Sequence, residues 1–158
     1  MPYFAFPTPL GPMTAFEEDG RLVALEWGSP PPGAESTALL TVVKEQLDAY
    51  FDKKLRQFDL PFAAEGSIFQ KRVWAAMSDI PYGQTLTYAD IAEKIGSAPR
   101  AIGGACGRNP LPIVVPCHRV LSRNGIGGYS GADGIPTKRF LLALESVDGP
   151  ALFHVKQG

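Results

Sequence analysis

The residues best suited to chemistry lie together at 116 to 120, a stretch that reads Pro-Cys-His-Arg-Val. A cysteine becomes a useful nucleophile when a neighbouring base or positive charge favours its thiolate. Here an imidazole and a guanidinium follow the thiol directly. The stretch ends an apolar, strand-like run from 111 to 115, so the thiol is predicted to project from a rigid element. The pattern predicts a reactive cysteine, Cys117, with His118 beside it.

Two short helices are predicted upstream of this cysteine. Thr87 is a suitable N-cap for the first helix and Gly96 a suitable C-terminal cap. Pro99 suits the first turn of the second helix, which is predicted to run to about Asn109. A helix-turn-helix followed by a reactive cysteine suggests chemistry on a nucleic acid.

Glycines make the second helix unusual. Gly103, Gly104 and Gly107 each cost about 1 kcal/mol of helix stability relative to alanine. One explanation is close approach of the helix to a sugar-phosphate backbone, with Arg100 and Arg108 supplying positive charge. The other is tight packing of the helix inside the protein. The sequence leaves both explanations open.

Length and composition limit the class of protein. A chain of 158 residues with 45% hydrophobic residues can bury a core and suits one domain or two small ones. It has no apolar run of about 18 residues and no secretory signal at its N-terminus, so we expect no membrane partner and a cytoplasmic protein, or a nuclear one in a eukaryote. Cys106 and Cys117 are predicted to be reduced thiols.

Charge is divided unevenly along the chain. Residues 1 to 66 contain five Lys and Arg against ten Asp and Glu, a net charge of −5. Residues 67 to 150 contain nine against six, a net charge of +3. The basic half carries the motifs, which is a weak indication of a phosphate-facing surface.

The first 62 residues are predicted to be a structural α/β subdomain. Asp19-Gly20 lies between two apolar runs, which is typical of a β-hairpin, and Ser36 or Thr37 can cap a helix that runs to about Lys54. This segment has no His or Cys. A seam at 61 to 66 precedes a capping box at Ser67 and Gln70, and residues 63 to 158 are predicted to form the catalytic and DNA-binding subdomain.

The basic half resembles the O6-alkylguanine-DNA alkyltransferase family, also called methylated-DNA–protein-cysteine methyltransferases. The resemblance covers residues 67 to 146 and is loose before that. Its strongest element is the pair of motifs Asn-Pro at 109 and 110 and Pro-Cys-His-Arg-Val at 116 to 120, at this spacing. It also rests on Phe69-Gln70, Val73-Trp74, Ile80-Pro81, Gly83, Thr87-Tyr88, Arg100 to Ala105, Asn109-Pro110, Pro112-Ile113, Tyr129 to Gly131 and Leu141 to Glu145.

The resemblance implies a fold and a reaction. The fold is an α/β (α+β) ribonuclease-H-like N-terminal subdomain, then a mainly helical subdomain with a winged helix-turn-helix-like motif. The reaction is direct-reversal DNA repair. An alkyl group passes from O6-alkylguanine, and possibly from O4-alkylthymine, irreversibly to Cys117 in a single turnover. The implied partner is double-stranded DNA that contains the lesion. The protein is expected to be a monomer with no obligate protein partner and no cofactor.

The resemblance also implies a role for each catalytic residue. Cys117 accepts the alkyl group, and a water molecule links it to His118, which Glu145 orients. Tyr88 assists the leaving guanine, and Asn109 is a hinge between the second helix and the active-site loop. Taken singly, each has a plainer explanation, such as an inert core cysteine or an aromatic anchor at a helix start.

Further positions are implied in binding the base and the DNA. Arg100 enters the space of a flipped base while its helix lies in the minor groove. The substrate-binding residues are Val120, Tyr129, Ser130, Gly131 and Pro112, and the DNA-binding residues are Arg100, Ala101, Gly103, Gly104 and Thr87. Backbone groups of Cys117, Val120 and Ser130 are expected to bind guanine, and Arg119 is assigned to structure.

Some features depart from the family or leave alternatives. Ala132-Asp133-Gly134 stands where many relatives have a second glycine after Ser-Gly, which leaves the substrate range open. No metal site is expected, since a zinc site built from Cys106, Cys117, His118 and His154 lacks a usual chelating spacing. The alternative functions are a cysteine hydrolase and a non-enzymatic binder of alkylated DNA, although the alkyltransferase-like binders lack the cysteine that Cys117 supplies.

Overall fold

The computed structural model describes residues 1–30 and 35–147, and the chain divides into two compact units. The first unit is Met1–Glu65 and the second is Gly66–Gly158. Among the described residues, no helix is both long enough and apolar enough to cross a bilayer.

The first unit contains a three-stranded antiparallel sheet. Its strands are β1 (Tyr3–Phe6), β2 (Met13–Glu18) and β3 (Arg21–Trp27), in the order β1-β2-β3. Asp19 and Gly20 connect β2 to β3 with φ values of 53° and 74°. Two left-handed residues in a two-residue connection match the twist of the flanking strands, which is why Asp-Gly predicts a hairpin. The predicted hairpin is confirmed.

Helix α1 (Ala38–Phe51) packs against this sheet. The Thr37 side chain caps it by accepting a hydrogen bond from the backbone amide of Leu40. Its buried face consists of Leu40, Val43, Leu47 and Tyr50. The helix ends three residues before the predicted Lys54, because Lys53 has a φ of 61°, which a right-handed helix cannot contain.

The second unit is mainly helical. Its helices are α2 (Ile68–Ser78), α3 (Tyr88–Ile95), α4 (Pro99–Cys106) and α5 (Ile135–Leu144), with a 3₁₀ turn at Cys117–Arg119. Two short strands, β4 (Leu86–Thr87) and β5 (Val120–Leu121), pair in parallel, with Leu86 opposite Val120. This pairing joins the start of α3 to the residues that follow the reactive cysteine.

Local capping explains where the helices of the second unit begin. Ser67 and Gln70 form a reciprocal capping box at α2, as predicted, and Thr87 forms another with Asp90 at α3. Gly96 ends α3 in the left-handed conformation with a φ of 73°. The predicted caps of the helix-turn-helix are confirmed.

The predicted end of α4 is wrong. The helix stops at Cys106 rather than near Asn109, because Asn109 turns the chain away. Its side-chain oxygen accepts from the Leu111 amide at 2.9 Å, and its Nδ2 donates to the Val115 carbonyl at 2.8 Å. An Asn side chain that bonds to the nearby backbone competes with helix continuation.

Candidate active site

A cavity of about 510 Å³ lies in the second unit, beside the reactive cysteine. Four parts of the fold line it: the first residue of α3, the C-terminal half of α4 with the glycine that follows it, the first residue of the 3₁₀ turn, and the segment after that turn. The lining residues are Tyr88, Gly103, Cys106, Gly107, Cys117, Ser122, Gly127, Gly128, Tyr129 and Ser130. Predicted catalytic, substrate-binding and DNA-binding residues therefore meet at one cavity.

Cys117 is held by its own backbone. Its amide donates to the Val115 carbonyl at 2.8 Å, and its carbonyl accepts from the Val120 amide. The apolar run before it is buried but is not a strand, contrary to the prediction. It folds as a tight turn in which the Val115 amide bonds to Leu111 and Ile113 takes a φ of 75°. A buried turn, rather than a strand, is the rigid element that presents the thiol.

His118, Arg119 and Glu145 form a buried cluster next to the cysteine. His118 Nε2 lies 2.6 Å from Oε2 of Glu145, the residue that caps the C-terminus of α5. Arg119 binds the same carboxylate with two nitrogens, Nε to Oε1 at 2.8 Å and Nη2 to Oε2 at 3.0 Å. The His118 and Glu145 side chains have no exposed surface, and the Arg119 side chain is 8% exposed.

The protonation states of this cluster follow from its contacts. Burial raises the pKa of Glu145, but hydrogen bonds from His118 and Arg119 and the positive charge of Arg119 outweigh burial and hold the pKa well below its usual range. Burial, together with the positive charges of Arg119 and Lys138, lowers the pKa of His118 below its usual value despite the opposing effect of Glu145. At neutral pH the carboxylate is therefore ionised and the imidazole neutral. His118 Nδ1 is buried and makes no hydrogen bond to any described residue.

The resting state of Cys117 is a thiol. Burial raises its pKa, and this effect exceeds the lowering by the Asn109 side chain, the positive charge of Lys138 and the Tyr129 hydroxyl. Because a thiol is a weak nucleophile, reaction at neutral pH needs a base to take its proton. The neutral imidazole of His118 is the base that the sequence places nearest.

Tyr88 is the first residue of α3 and one wall of the cavity. Burial raises its pKa, so its hydroxyl keeps its proton and can donate a hydrogen bond at neutral pH. Gly127 packs against the ring: a Cβ atom built at this glycine would lie 3.1 Å from Tyr88 Cε2. The Tyr88 ring therefore lies so close to residue 127 that a side chain larger than that of glycine would crowd it.

Lys138 is a buried cation that sequence reasoning missed. Its ammonium donates to the carbonyls of Val120 at 2.6 Å and Gly128 at 3.0 Å, and lies 5.7 Å from the centre of the Tyr88 ring. Burial lowers its pKa from 10.5 to about 8, against the opposing effect of the two cysteines. The available signal was its position on the apolar face of α5, three residues before the buried Leu141.

The other predicted substrate-binding residues differ in their positions. Tyr129 and Ser130 line the cavity, whereas Val120, Pro112 and Gly131 are not among its lining residues, and Val120 and Pro112 are buried. The carbonyl of Val120 accepts a hydrogen bond from the Lys138 ammonium.

The loop after Ser130 keeps a backbone suited to glycine. Ala132 has a φ of 42°, in the left-handed region that favours glycine. The departure in sequence at this position therefore introduces a side chain without removing the turn.

The glycines of α4 are not needed for packing inside the protein. A Cβ atom added to Gly103 or Gly104 would meet no atom within 4 Å. The internal-packing explanation is therefore wrong for these two positions. Arg100, Ala101 and Gly104 are exposed, while Gly103 faces the cavity. The hydroxyl of Thr87, another predicted DNA-binding residue, accepts a hydrogen bond from the Asp90 amide in the cap of α3.

Cys106 lines the cavity without being a predicted site residue. Its Sγ lies 3.4 Å from Met77 Sδ, and burial is the main cause that raises its pKa to about 12. Both cysteines are free thiols. Within residues 1–30 and 35–147, no three His, Cys, Asp or Glu side chains are arranged to hold a metal ion, and His154 lies outside these ranges.

Comparison with known proteins gives the same family along both units. Residues 1–64 match the family described as 6-O-methylguanine DNA methyltransferase, ribonuclease-like domain. Residues 68–147 match the family described as 6-O-methylguanine DNA methyltransferase, DNA binding domain. The two matches lie on either side of the boundary between the compact units.

Individual relatives are similar over nearly their whole length. The methylated-DNA–protein-cysteine methyltransferase of Methanosarcina acetivorans is 44% identical over 155 residues, covering 92% of this chain and 98% of the relative. The constitutive enzyme of the same description from Bacillus subtilis is 40% identical, covering 92% and 95%. A crystal structure of Mycobacterium tuberculosis OGT in complex with DNA superposes with a TM-score of 0.83 at 39% identity, covering 92% of each chain. On these matches, the chain belongs to the 6-O-methylguanine DNA methyltransferase family.

Proposed function

We propose that the protein repairs O6-alkylguanine in DNA by moving the alkyl group to its own Cys117. The observation that carries the proposal is the thiol of Cys117 in a cavity next to the buried His118–Glu145 pair, in a chain of this family. O4-alkylthymine is a second candidate lesion.

The transfer requires that the thiol lose its proton. In the proposed step the S–H bond of Cys117 breaks and the proton passes through a water molecule to His118 Nδ1, while Nε2 stays bonded to Glu145. The sulfur electron pair then forms a bond to the alkyl carbon, and the bond from that carbon to O6 breaks. The low pKa of Glu145 supports this role, since a carboxylate stabilises the imidazolium that forms.

The leaving guanine takes the electron pair and finally a proton. A protonated Tyr88 hydroxyl in the cavity wall can donate a hydrogen bond to the developing anion. The proton on His118 returns to solvent. Overall, the thiol hydrogen of Cys117 is replaced by the alkyl group and guanine regains its hydrogen. Removal of the alkyl group from the thioether would have to expel a thiolate, which is a poor leaving group from an unactivated sulfide, so each protein molecule reacts once.

Access to the lesion requires that the nucleotide leave the base stack, at a cost of a few kcal/mol. We assign this task to α4. Arg100 is exposed in the first turn of the helix, and the open space around Gly103 and Gly104 would allow close approach to a minor groove. We assign Asn109 to the junction between α4 and the turn that presents Cys117, as its two backbone hydrogen bonds support.

We further propose that the protein acts as a monomer. The described residues of one chain supply the thiol, the base, its carboxylate and the phenol, all from the second unit. We also propose that residues 1 to 62 form a subdomain with a structural role only, and that residues 63 to 158 form the catalytic and DNA-binding subdomain.

Mass spectrometry with a methylated duplex tests the proposed function. One methyl group should appear on the tryptic peptide 109–119, which contains Cys117. Cys117→Ala should abolish transfer but keep DNA binding, and the matched control Cys106→Ser should still transfer. Product in excess of one per protein molecule would instead support the cysteine hydrolase. Methyl found on Cys106 would show that the acceptor has been assigned to the wrong thiol.

A further inference from the structure

The carboxylate of Glu145 binds both His118 and Arg119, and Arg119 is the one of these two that carries a permanent charge. The guanidinium covers both carboxylate oxygens, with contacts of 2.8 and 3.0 Å, and His118 contacts one of them at 2.6 Å. Two-point binding of this kind is the strongest geometry available between arginine and a carboxylate. His118 therefore lies beside a compensated ion pair and not beside a lone negative charge.

This compensation determines which form of His118 is stable. A lone buried carboxylate would favour an imidazolium and raise the pKa of the histidine. With Arg119 in place, the positive charge of the guanidinium offsets the negative charge of Glu145, and burial keeps the imidazole neutral. In the neutral ring, Nε2 carries the hydrogen donated to Glu145, which leaves Nδ1 with a free electron pair.

The position of Arg119 is fixed from other directions as well. Its Nη1 donates to the Ile80 carbonyl at 2.8 Å, and its guanidinium carbon lies 5.8 Å from the centre of the Tyr82 ring. These contacts hold the cation on Glu145 independently of His118.

We propose that Arg119 is a positioning residue of the alkyl transfer: by neutralising Glu145, it keeps His118 Nδ1 free to accept the proton of Cys117. The inference rests on the proposed function. It also extends the sequence analysis, which assigned Arg119 to structure alone.

Other charged groups near His118 do not replace Arg119. Lys138 on α5 also acts on the imidazole and disfavours its protonated form, but its ammonium is bound to the carbonyls of Val120 and Gly128. Cys117, next to His118 in the 3₁₀ turn, is a thiol at rest. Helix α2 packs on the 3₁₀ turn and has an apolar buried face of Val73, Trp74 and Met77. Arg119 is the cation in direct contact with Glu145 among the described residues.

The test compares one variant that leaves Glu145 uncompensated with one that removes both charges. In Arg119→Met the carboxylate loses the guanidinium that binds both of its oxygens, and the pKa of His118 should rise by about 1 to 3 units. In Arg119→Met with Glu145→Gln no lone charge remains, and the pKa should return toward that of the wild-type protein. Arg119→Lys keeps the charge and should leave the pKa low.

Two measurements follow each variant. The first is an NMR titration of the imidazole resonances, which is simple because the chain has two histidines and His154→Gln assigns them. The second is the pH dependence of the rate of methyl transfer. The acid limb of this profile should move to higher pH in Arg119→Met by the same amount as the pKa, with about a tenfold loss of rate per unit below the limb. The double variant should bring the limb back.

Several results would overturn the proposal. One is an unchanged pKa of His118 and an unchanged acid limb in folded Arg119→Met. Another is a double variant whose acid limb stays at the pH found for Arg119→Met. That result would show that Arg119 has a purely structural role, because a second substitution would not restore a structural contact. If Arg119→Met does not fold, the double variant and Arg119→Lys decide, and a raised pKa in either rejects the proposal. The NMR titration needs no DNA, so it remains valid even if the proposed function fails.

Discussion

Replacement of Lys138 by methionine should change stability in a way that depends on pH. The ammonium is fully buried, and its pKa falls from 10.5 to about 8 on folding. A lysine with a lowered folded pKa binds fewer protons in the folded state between these two values. The free energy of unfolding of the wild-type protein therefore rises with pH across this window. Methionine has a similar length and no titratable group, so the variant lacks this contribution.

The size of the effect follows from the pKa difference. The shift from 10.5 to about 8 corresponds to about 3 kcal/mol, the amount by which burial of the charge reduces stability below pH 8. Lys138→Met also leaves the carbonyls of Val120 and Gly128 without their charged donor, at about 1 to 3 kcal/mol each. At pH 7 the two effects oppose each other and the net loss should be small. At pH 10 most of the first has vanished, so the loss should be larger by about 2 to 3 kcal/mol.

Urea unfolding at pH 7, 8.5 and 10 measures this difference. Both proteins should carry Cys106→Ser and Cys117→Ser, because the thiols titrate in the same range and would obscure the lysine. The stability advantage of Lys138 over methionine should grow steadily with pH. A gap that is constant, or that narrows as pH rises, would refute the argument that a buried ammonium titrates near pH 8 at this position.

Three further predictions concern helix α4, Tyr88 and the proposed acceptor Cys117. Arg100→Ala should slow repair of a duplex lesion but leave the reaction with free O6-benzylguanine nearly unchanged, whereas Tyr88→Phe should slow both reactions. All rates should be compared at one salt concentration, and equal losses of rate on both substrates for Arg100→Ala would end the base-flipping assignment. Gly104→Ala should raise the free energy of unfolding by up to about 1 kcal/mol, because the alanine Cβ would enter open space. The same variant should bind duplex DNA more weakly in a titration, and unchanged binding would remove Gly104 from the proposed DNA surface. Methylation of Cys117 should lower the melting temperature, because the added methyl group must fit beside a buried sulfur in a packed turn. An equal or higher melting temperature in calorimetry would contradict this expectation.

Features set by neighbouring residues were predictable from the sequence. The Asp19-Gly20 hairpin and the capping boxes at Ser67 and Thr87 each depend on residues within three or four positions, and the structure has all of them. The end of α4 was missed because the side chain of Asn109 bonds to Val115, a partner six residues away. Helix propensity does not predict helix ends that are set by side-chain hydrogen bonds of this kind.

The charges of the site were harder to predict. Arg119 and Glu145 are 26 residues apart, and only the packing of α5 against the 3₁₀ turn brings them together. Lys138 occupies an apolar position of α5, where a lysine is ordinarily excluded. Family resemblance supplied Cys117, His118 and Glu145, but gave no indication that Glu145 is shared with Arg119 or that a second cation lies behind the cavity.

The parallel pairing of β4 with β5 affects how this part of the chain can change during evolution. Leu86 and Thr87 immediately precede Tyr88, and their partners Val120 and Leu121 immediately follow the turn that contains Cys117. The ladder thus closes a loop in the chain, with the thiol and the phenol at its two ends. Insertions or deletions at the exposed turn before α4, residues 96 to 98, would alter the outer surface of the second unit while the two reacting ends stay in register. This turn can therefore change in length or sequence during evolution without a new arrangement of Cys117 and Tyr88.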